Sequence, residues 1–155
     1  MDTFTRLFNK AAQIEREPVD TGDGILLYTS EVHLLDMAGR FPGESMSALA
    51  SRLGITKGAV SQTARKLEEK GFLERVNAEG DNKTVFLRLT GPGFRAFRWH
   101  QAYHAEVNRK MGKEFSKMDR EEQEKIIAVL VRLEQVFDAC PGIRSTIAGQ
   151  LEALK

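Results

Sequence analysis

Apolar positions run at helical spacing over most of this chain and switch to strand-like spacing once. Phe4, Leu7, Phe8, Ala11 and Ile14 form the first stripe, which Pro18, Gly22 and Gly24 break, so a first helix is predicted from Asp2 to about Glu17. A second, N-capped by Ser30, carries Val32, Leu35 and Ala38 as far as Phe41-Pro42-Gly43. Met46, Leu49, Ala50 and Leu53 give a third that Gly54 ends. Thr56 then opens a fourth, with Val60, Ala64 and Leu67 inward and Gly71 past its end. Phe72 to Val76 and Thr84 to Leu89 read as two strands around a polar tip from Asn77 to Lys83. Thr90 caps a long helix from Pro92 to Phe115, and Asp119 opens another through Ile126, Val129, Leu130, Leu133 and Phe137. A last helical segment is predicted from Ile143 to Leu154, beyond a stop at Pro141-Gly142.

This order predicts a mainly α protein with a small β-hairpin wing, an α+β winged helix-turn-helix. Residues 1–29 and 91–155 supply a dimerisation platform, and residues 30–90 form the DNA-binding domain, with a reading helix over about 56–70 and a wing over about 72–89. The flanking stripes are too apolar for a free monomer, which favours a homodimer over a monomeric core.

The net charge of +1 does not announce a nucleic-acid binder. Between Ser51 and Arg88, however, Arg52, Lys57, Arg65, Lys66, Lys70, Arg75, Lys83 and Arg88 make the stretch mildly basic. A single cysteine, Cys140, excludes an intramolecular disulfide framework and lacks a resolving partner for redox sensing. No apolar run approaches a membrane span, so a cytoplasmic protein without membrane contact is expected. Phosphate-cradling glycine loops and nucleophile elbows are missing, which argues against an enzyme.

On the fourth helix, small and polar residues occupy the outward face: Lys57, Gly58, Ser61, Gln62 and Arg65. Gln62 suits an adenine edge and Arg65 a guanine edge or a phosphate, while Gly58 permits close backbone approach. Thr56 caps the helix and offers an anion its N-terminus. Ser47, Lys66, Arg75, Asn82 and Lys83 complete the expected contacts to double-stranded DNA. A winged helix used only for protein contacts would instead need apolar residues on this face.

Residues 46–89 resemble the multiple antibiotic resistance regulator (MarR) family. The likeness rests on Leu49-Ala50-Ser51-Arg52-Leu53-Gly54, Thr56-Lys57-Gly58-Ala59-Val60-Ser61-Gln62, Lys66-Leu67-Glu68-Glu69-Lys70-Gly71-Phe72-Leu73 and Leu87-Arg88-Leu89-Thr90. The resemblance implies a two-fold dimer, expected to be a repressor, on an inverted-repeat operator, with wings in the minor groove. Where many family wings carry an Asp followed by an Arg, this chain has Asp81-Asn82-Lys83, and Lys lacks the planar fork of Arg.

The three histidines are His33, His100 and His104. Phe97, His100, His104, Val107 and Met111 share one face of the long helix, so two imidazoles stand at i and i+4. The arrangement resembles the family's zinc-sensing branch, which implies a tetrahedral site of Glu15, His33, His100 and His104, with zinc expected and nickel or iron as alternatives. Glu17, Asp20, Asp23, Glu31 and Glu106 are substitutes for the fourth ligand. Two other readings stand beside it: histidines that serve the core, and a pocket for a small aromatic or phenolic effector lined by Tyr28, Phe97, Trp99 and Tyr103.

Overall fold

The computed structural model describes residues 2–78 and 81–152, without the side chains of Ala78, Asp81, Asn82, Lys83 and Leu151. In chain order it contains α1 (Asp2–Arg16), β1 (Val19–Asp20), β2 (Leu26–Leu27), α2 (Thr29–Arg40), α3 (Met46–Leu53), α4 (Lys57–Glu69), β3 (Leu73–Ala78), β4 (Asp81–Leu89), α5 (Gly91–Phe115) and α6 (Arg120–Glu152). The chain divides into two compact units, Met1–Glu106 and Val107–Lys155.

The core of the first unit is the set of apolar positions that the periodicity turns inward. Val32, Leu34, Leu35 and Ala38 of α2 pack with Met46, Leu49 and Ala50 of α3 and with Val60, Ala64 and Leu67 of α4. Phe72, Leu73, Leu87 and Ala96 close the cluster from the hairpin and α5. The turn between α3 and α4 is built from local signals. Gly54 sits at φ +66°, a left-handed conformation that costs glycine nothing, and Thr56 Oγ1 accepts the Ala59 N–H at 3.1 Å to cap α4. Gly71, at φ +79°, ends α4 and lets the Phe72 N–H return to the Leu67 carbonyl at 2.9 Å.

β3 and β4 pair antiparallel from Leu73↔Leu89 to Asn77↔Val85, with a register shift at Asn77/Ala78 that brings Ala78 opposite Asp81. The ladder is longer than predicted because Asn77 and Ala78, and Asp81 to Lys83, continue it rather than forming a loose tip. The expected turn at Glu79 and Gly80 lies outside the described residues. Thr90 caps α5 as expected: its hydroxyl accepts the Gly93 N–H at 3.2 Å and donates to the Gly71 carbonyl at 2.7 Å.

Three predicted details are corrected. Ser30 is inside α2; Tyr28 occupies the N-cap, its N–H donated to Glu31 Oε2 at 2.8 Å. The break at 18–24 is a small hairpin, β1–β2, whose turn is tied by Asp20 Oδ1 accepting the N–H groups of Gly22, Asp23 and Gly24 at 2.8, 3.1 and 3.0 Å. Finally, α6 does not stop at Pro141 but runs unbroken to Glu152.

In the second unit, α6 opens with reciprocal caps: Asp119 Oδ1 accepts the Glu122 N–H at 2.9 Å and Glu122 Oε2 the Asp119 N–H at 3.0 Å. No helix among the described residues is long and apolar enough to cross a membrane.

Candidate nucleic-acid interface and metal centre

The buried stripe Val60, Ala64 and Leu67 fixes the rotation of α4 and so decides which residues face solvent. Lys57, Gly58, Gln62, Arg65 and Lys66 are exposed, as are Thr56 at the cap and Ser47 on α3; Ser61 is half-buried at the edge of the face. Two predicted cations are already engaged. Arg65 Nε donates to Glu69 Oε1 at 3.0 Å, and Arg75 Nε to Glu68 Oε2 at 2.8 Å. Both pairs are open to water and weak, so either arginine can exchange its carboxylate for a phosphate at little cost. Asn82 and Lys83 belong to β4, and their side chains lie outside the described residues. The sequence reading overlooked a small cleft where Ser47 and Lys57 meet Ser45 and Thr84. Thr84 comes from a strand remote in sequence, so helical spacing gave no signal for it.

A cavity of about 240 Å³ opens between the end of α1, β1, the first turn of α2 and the middle of α5. His33, His100 and His104 meet there, each offering a ring nitrogen within 4.8 Å of the others. The His100 and His104 Nε2 atoms are 3.0 Å apart, near the separation of roughly 3.3 Å between two nitrogens on one tetrahedral zinc at about 2.0–2.1 Å. The rings of His33 and His100 meet edge to face, centroids 5.3 Å apart.

The other side of His100 looks toward Asp36, a buried carboxylate the sequence reading passed over. His100 Nδ1 lies 3.4 Å from Asp36 Oδ1, long for a hydrogen bond, and this buried nitrogen has no hydrogen-bond partner among the described residues. Asp36 also accepts from Gln101 Nε2 and stands 3.7 Å from Arg40 Nη1. Burial holds the His100 pKa below its ordinary value. The neighbouring His104 and His33 act in the same direction, while the negative charge of Asp36 opposes them. A neutral imidazole with a carboxylate behind it is the form that ligates a metal. The donor set therefore fits a divalent transition metal.

Glu15 lines the same cavity but lies outside the three-histidine group; its backbone carbonyl accepts the Thr29 hydroxyl at 2.8 Å. Of the substitutes, Glu17 also lines the cavity, whereas Glu31 is bound to Lys70, Asp23 to Arg95, and Asp20 to its own turn. Glu106 is not part of the lining. Trp99 and Tyr103, stacked with centroids 5.5 Å apart, form a wall of this cavity. The other two aromatic candidates do not reach it. Tyr28 is exposed with Lys70 over its ring, and Phe97 packs so closely on Gly39 that a Cβ there would meet its ring at 2.7 Å.

Two short helices at a glycine turn, a polar outward face on the second, and a hairpin after it define a winged helix-turn-helix protein. The MarR family model matches residues 27–85. An uncharacterized HTH-type transcriptional regulator of Bacillus subtilis, YhjH, is 27% identical over 110 residues, 71% of this chain and 63% of that protein. The chain spans just under two thirds of the length of the curated relatives it matches first, 63% and 65%. Among solved structures, Streptococcus pneumoniae FabT in complex with DNA is 28% identical with a TM-score of 0.70, covering 90% of this chain and 95% of that one. The zinc-responsive MarR family member ZitR of Lactococcus lactis shares the fold at TM-score 0.74 and 22% identity, covering 88% and 95%. Over residues 27–85, which hold the helix-turn-helix and most of the hairpin, the chain is similar to the MarR family.

Proposed function

We propose that this protein is a transcription regulator that binds an inverted-repeat operator as a homodimer, and that zinc held by His33, His100 and His104, with Glu15 as fourth ligand, sets its affinity for DNA. Support for the DNA half comes from the exposed face Lys57, Gly58, Gln62, Arg65 and Lys66 on a helix whose opposite face is buried. The observation that carries the metal half is the convergence of three imidazoles from α2 and α5 within 4.8 Å. Glu15 lines the same cavity, which makes it the candidate for the fourth position. Held by His33 of α2 and by His100 and His104 of α5, a metal would join α5 to α2, whose core side packs on α3 and α4, and its binding energy would favour one relative position of the two helices.

The alternative effector is a small aromatic or phenolic molecule in the same cavity, which Trp99 and Tyr103 favour and which the absence of Tyr28 and Phe97 from the lining weakens. The two readings separate in one experiment. Protein purified without chelator is expected to carry about one zinc per chain by elemental analysis. Its affinity for an operator selected from a random duplex library is expected to change by about tenfold or more when zinc is stripped. His104→Ala should lose both effects, and Gln62→Ala and Arg65→Ala should weaken operator binding with altered sequence preference. Protein without stoichiometric zinc and with unchanged affinity on adding it would leave the aromatic effector; unaltered DNA binding in both α4 variants would remove the DNA reading.

A further inference from the structure

The C-cap of the reading helix is tied to the first turn of α2, which bears His33, by an ion pair whose carboxylate is buried. Lys70, the C-cap of α4, donates from Nζ to Glu31 Oε1 at 2.9 Å, to Glu31 Oε2 at 2.7 Å and to the Leu26 carbonyl of β2 at 2.9 Å. Glu31 is 2% exposed, and its Oε2 also accepts the Tyr28 N–H at 2.8 Å, while the Lys70 ammonium stands 5.6 Å from the Tyr28 ring centre. The carboxylate and the ammonium are thus engaged with each other, with the N-cap of α2 and with β2.

The helix ends add to the pair. Lys70 sits where the α4 macrodipole is negative, and Glu31 in the first turn of α2, where it is positive. His33 follows Glu31 by two residues, about 200° around the helix, so one turn of α2 presents a histidine to the cavity and a carboxylate to the reading helix. Thr29, Val32 and His33 line the cavity, and Glu31 does not.

We propose that Glu31 and Lys70 are positioning residues that couple the histidine site to the reading helix: a shift of the first turn of α2 is passed to the end of α4 through this pair. The idea rests on the regulator function proposed above. Apolar contacts between α2 and α4 resist separation but tolerate sliding, whereas a two-oxygen ion pair fixes register. Removing only one partner leaves the other charge buried, so the informative set includes a variant that removes both.

The test compares Lys70→Met, the double variant Glu31→Gln/Lys70→Met and Lys70→Arg with the wild type. Hydrogen exchange of the metal-free proteins reads the tie directly. Faster exchange at both Thr29–His33 and Lys66–Lys70 in the Met variants, restored in Lys70→Arg, is expected; unchanged exchange in the double variant overturns the proposal. Zinc titration against a chromogenic chelator should give wild-type affinity within about threefold for the double variant. Its operator affinity should lose most of the roughly tenfold zinc response. A full response in the double variant, or its loss in Lys70→Arg, overturns the coupling. If the wild type shows no zinc response, the regulator reading fails and the coupling with it, while the exchange data separately decide whether the tie exists.

Discussion

Burial makes His100 a poor proton acceptor in the folded chain, and that has a measurable sign. The folded pKa lies below the ordinary histidine value near 6.5, so between the two values the unfolded chain binds more protons than the folded one. In the metal-free protein the His100 contribution is therefore fully present above about pH 6.5. It declines as pH falls toward the folded pKa and levels off below it. Urea denaturation between pH 7.5 and 5 is expected to show this decline. Asp36→Asn should extend it to lower pH, because Asp36 holds the His100 pKa up. The same variant should weaken zinc binding by about 10–100-fold, the usual cost of losing an outer carboxylate. A stability profile flat from pH 7.5 to 5, or undiminished zinc affinity in Asp36→Asn, would count against these roles. Asp36 was not legible in the sequence because an acidic residue in an amphipathic helix reads as solvent-facing; its burial comes from α5 laying Gln101 and His100 over it. The pair His100 and His104, by contrast, follows from a spacing of four, and only the family resemblance added His33 and Glu15.

At the level of elements, the clearest constraint is the seat of α5 on the junction between α4 and β3. A Cβ at Gly93 would meet the Phe72 carbonyl oxygen at 1.8 Å and its carbon at 2.9 Å, a collision with backbone that no rotamer relieves. At Gly91 the nearest atom would be the flexible Arg95 Nη1 at 3.7 Å. Gly93→Ala is accordingly expected to destabilise the protein by about 3 kcal/mol, the upper end of the usual overpacking cost, and Gly91→Ala by less than about 0.5 kcal/mol. Equal midpoints in urea for the two variants would show that α5 is not seated there. Helices α3 and α4 were readable because glycine stops and a threonine cap are local signals that agree with the apolar stripe. The β1–β2 hairpin was not, since two-residue strands have no period and the turn depends on one aspartate side chain. Pro141 misled for a related reason. Proline forfeits one helical hydrogen bond, but α6 continues past it, and the Ser145 and Thr146 hydroxyls donate to the carbonyls of Pro141 and Gly142 at 3.1 and 3.0 Å.

Across the whole molecule, the imbalance between buried and exposed apolar surface bears on the proposed homodimer. α1 has no buried residue, yet Leu7 and Ile14 on it are 65% and 56% exposed. α6 exposes Leu130, Val136 and Ile143 by 53%, 54% and 49%. Single exposed leucines are ordinary, but apolar surface along both flanking helices is area that a second copy of the chain gains by covering, at about 25 cal/mol per Å². Leu7→Glu and Leu130→Glu place a charge on each helix separately and leave α4 and the histidines unaltered in sequence. Sedimentation equilibrium is expected to give a dimer for the wild type and dissociation for each variant. DNA binding should then change in a specific way. A monomer presents one reading helix, so the slope of log affinity against log salt concentration should fall to about half, because half as many phosphates are neutralised. Weaker binding with an unchanged slope would mean a dimer that persists on DNA. A wild-type monomer in sedimentation would remove the two-fold operator from the proposal while leaving the single reading helix to stand on its exposed face.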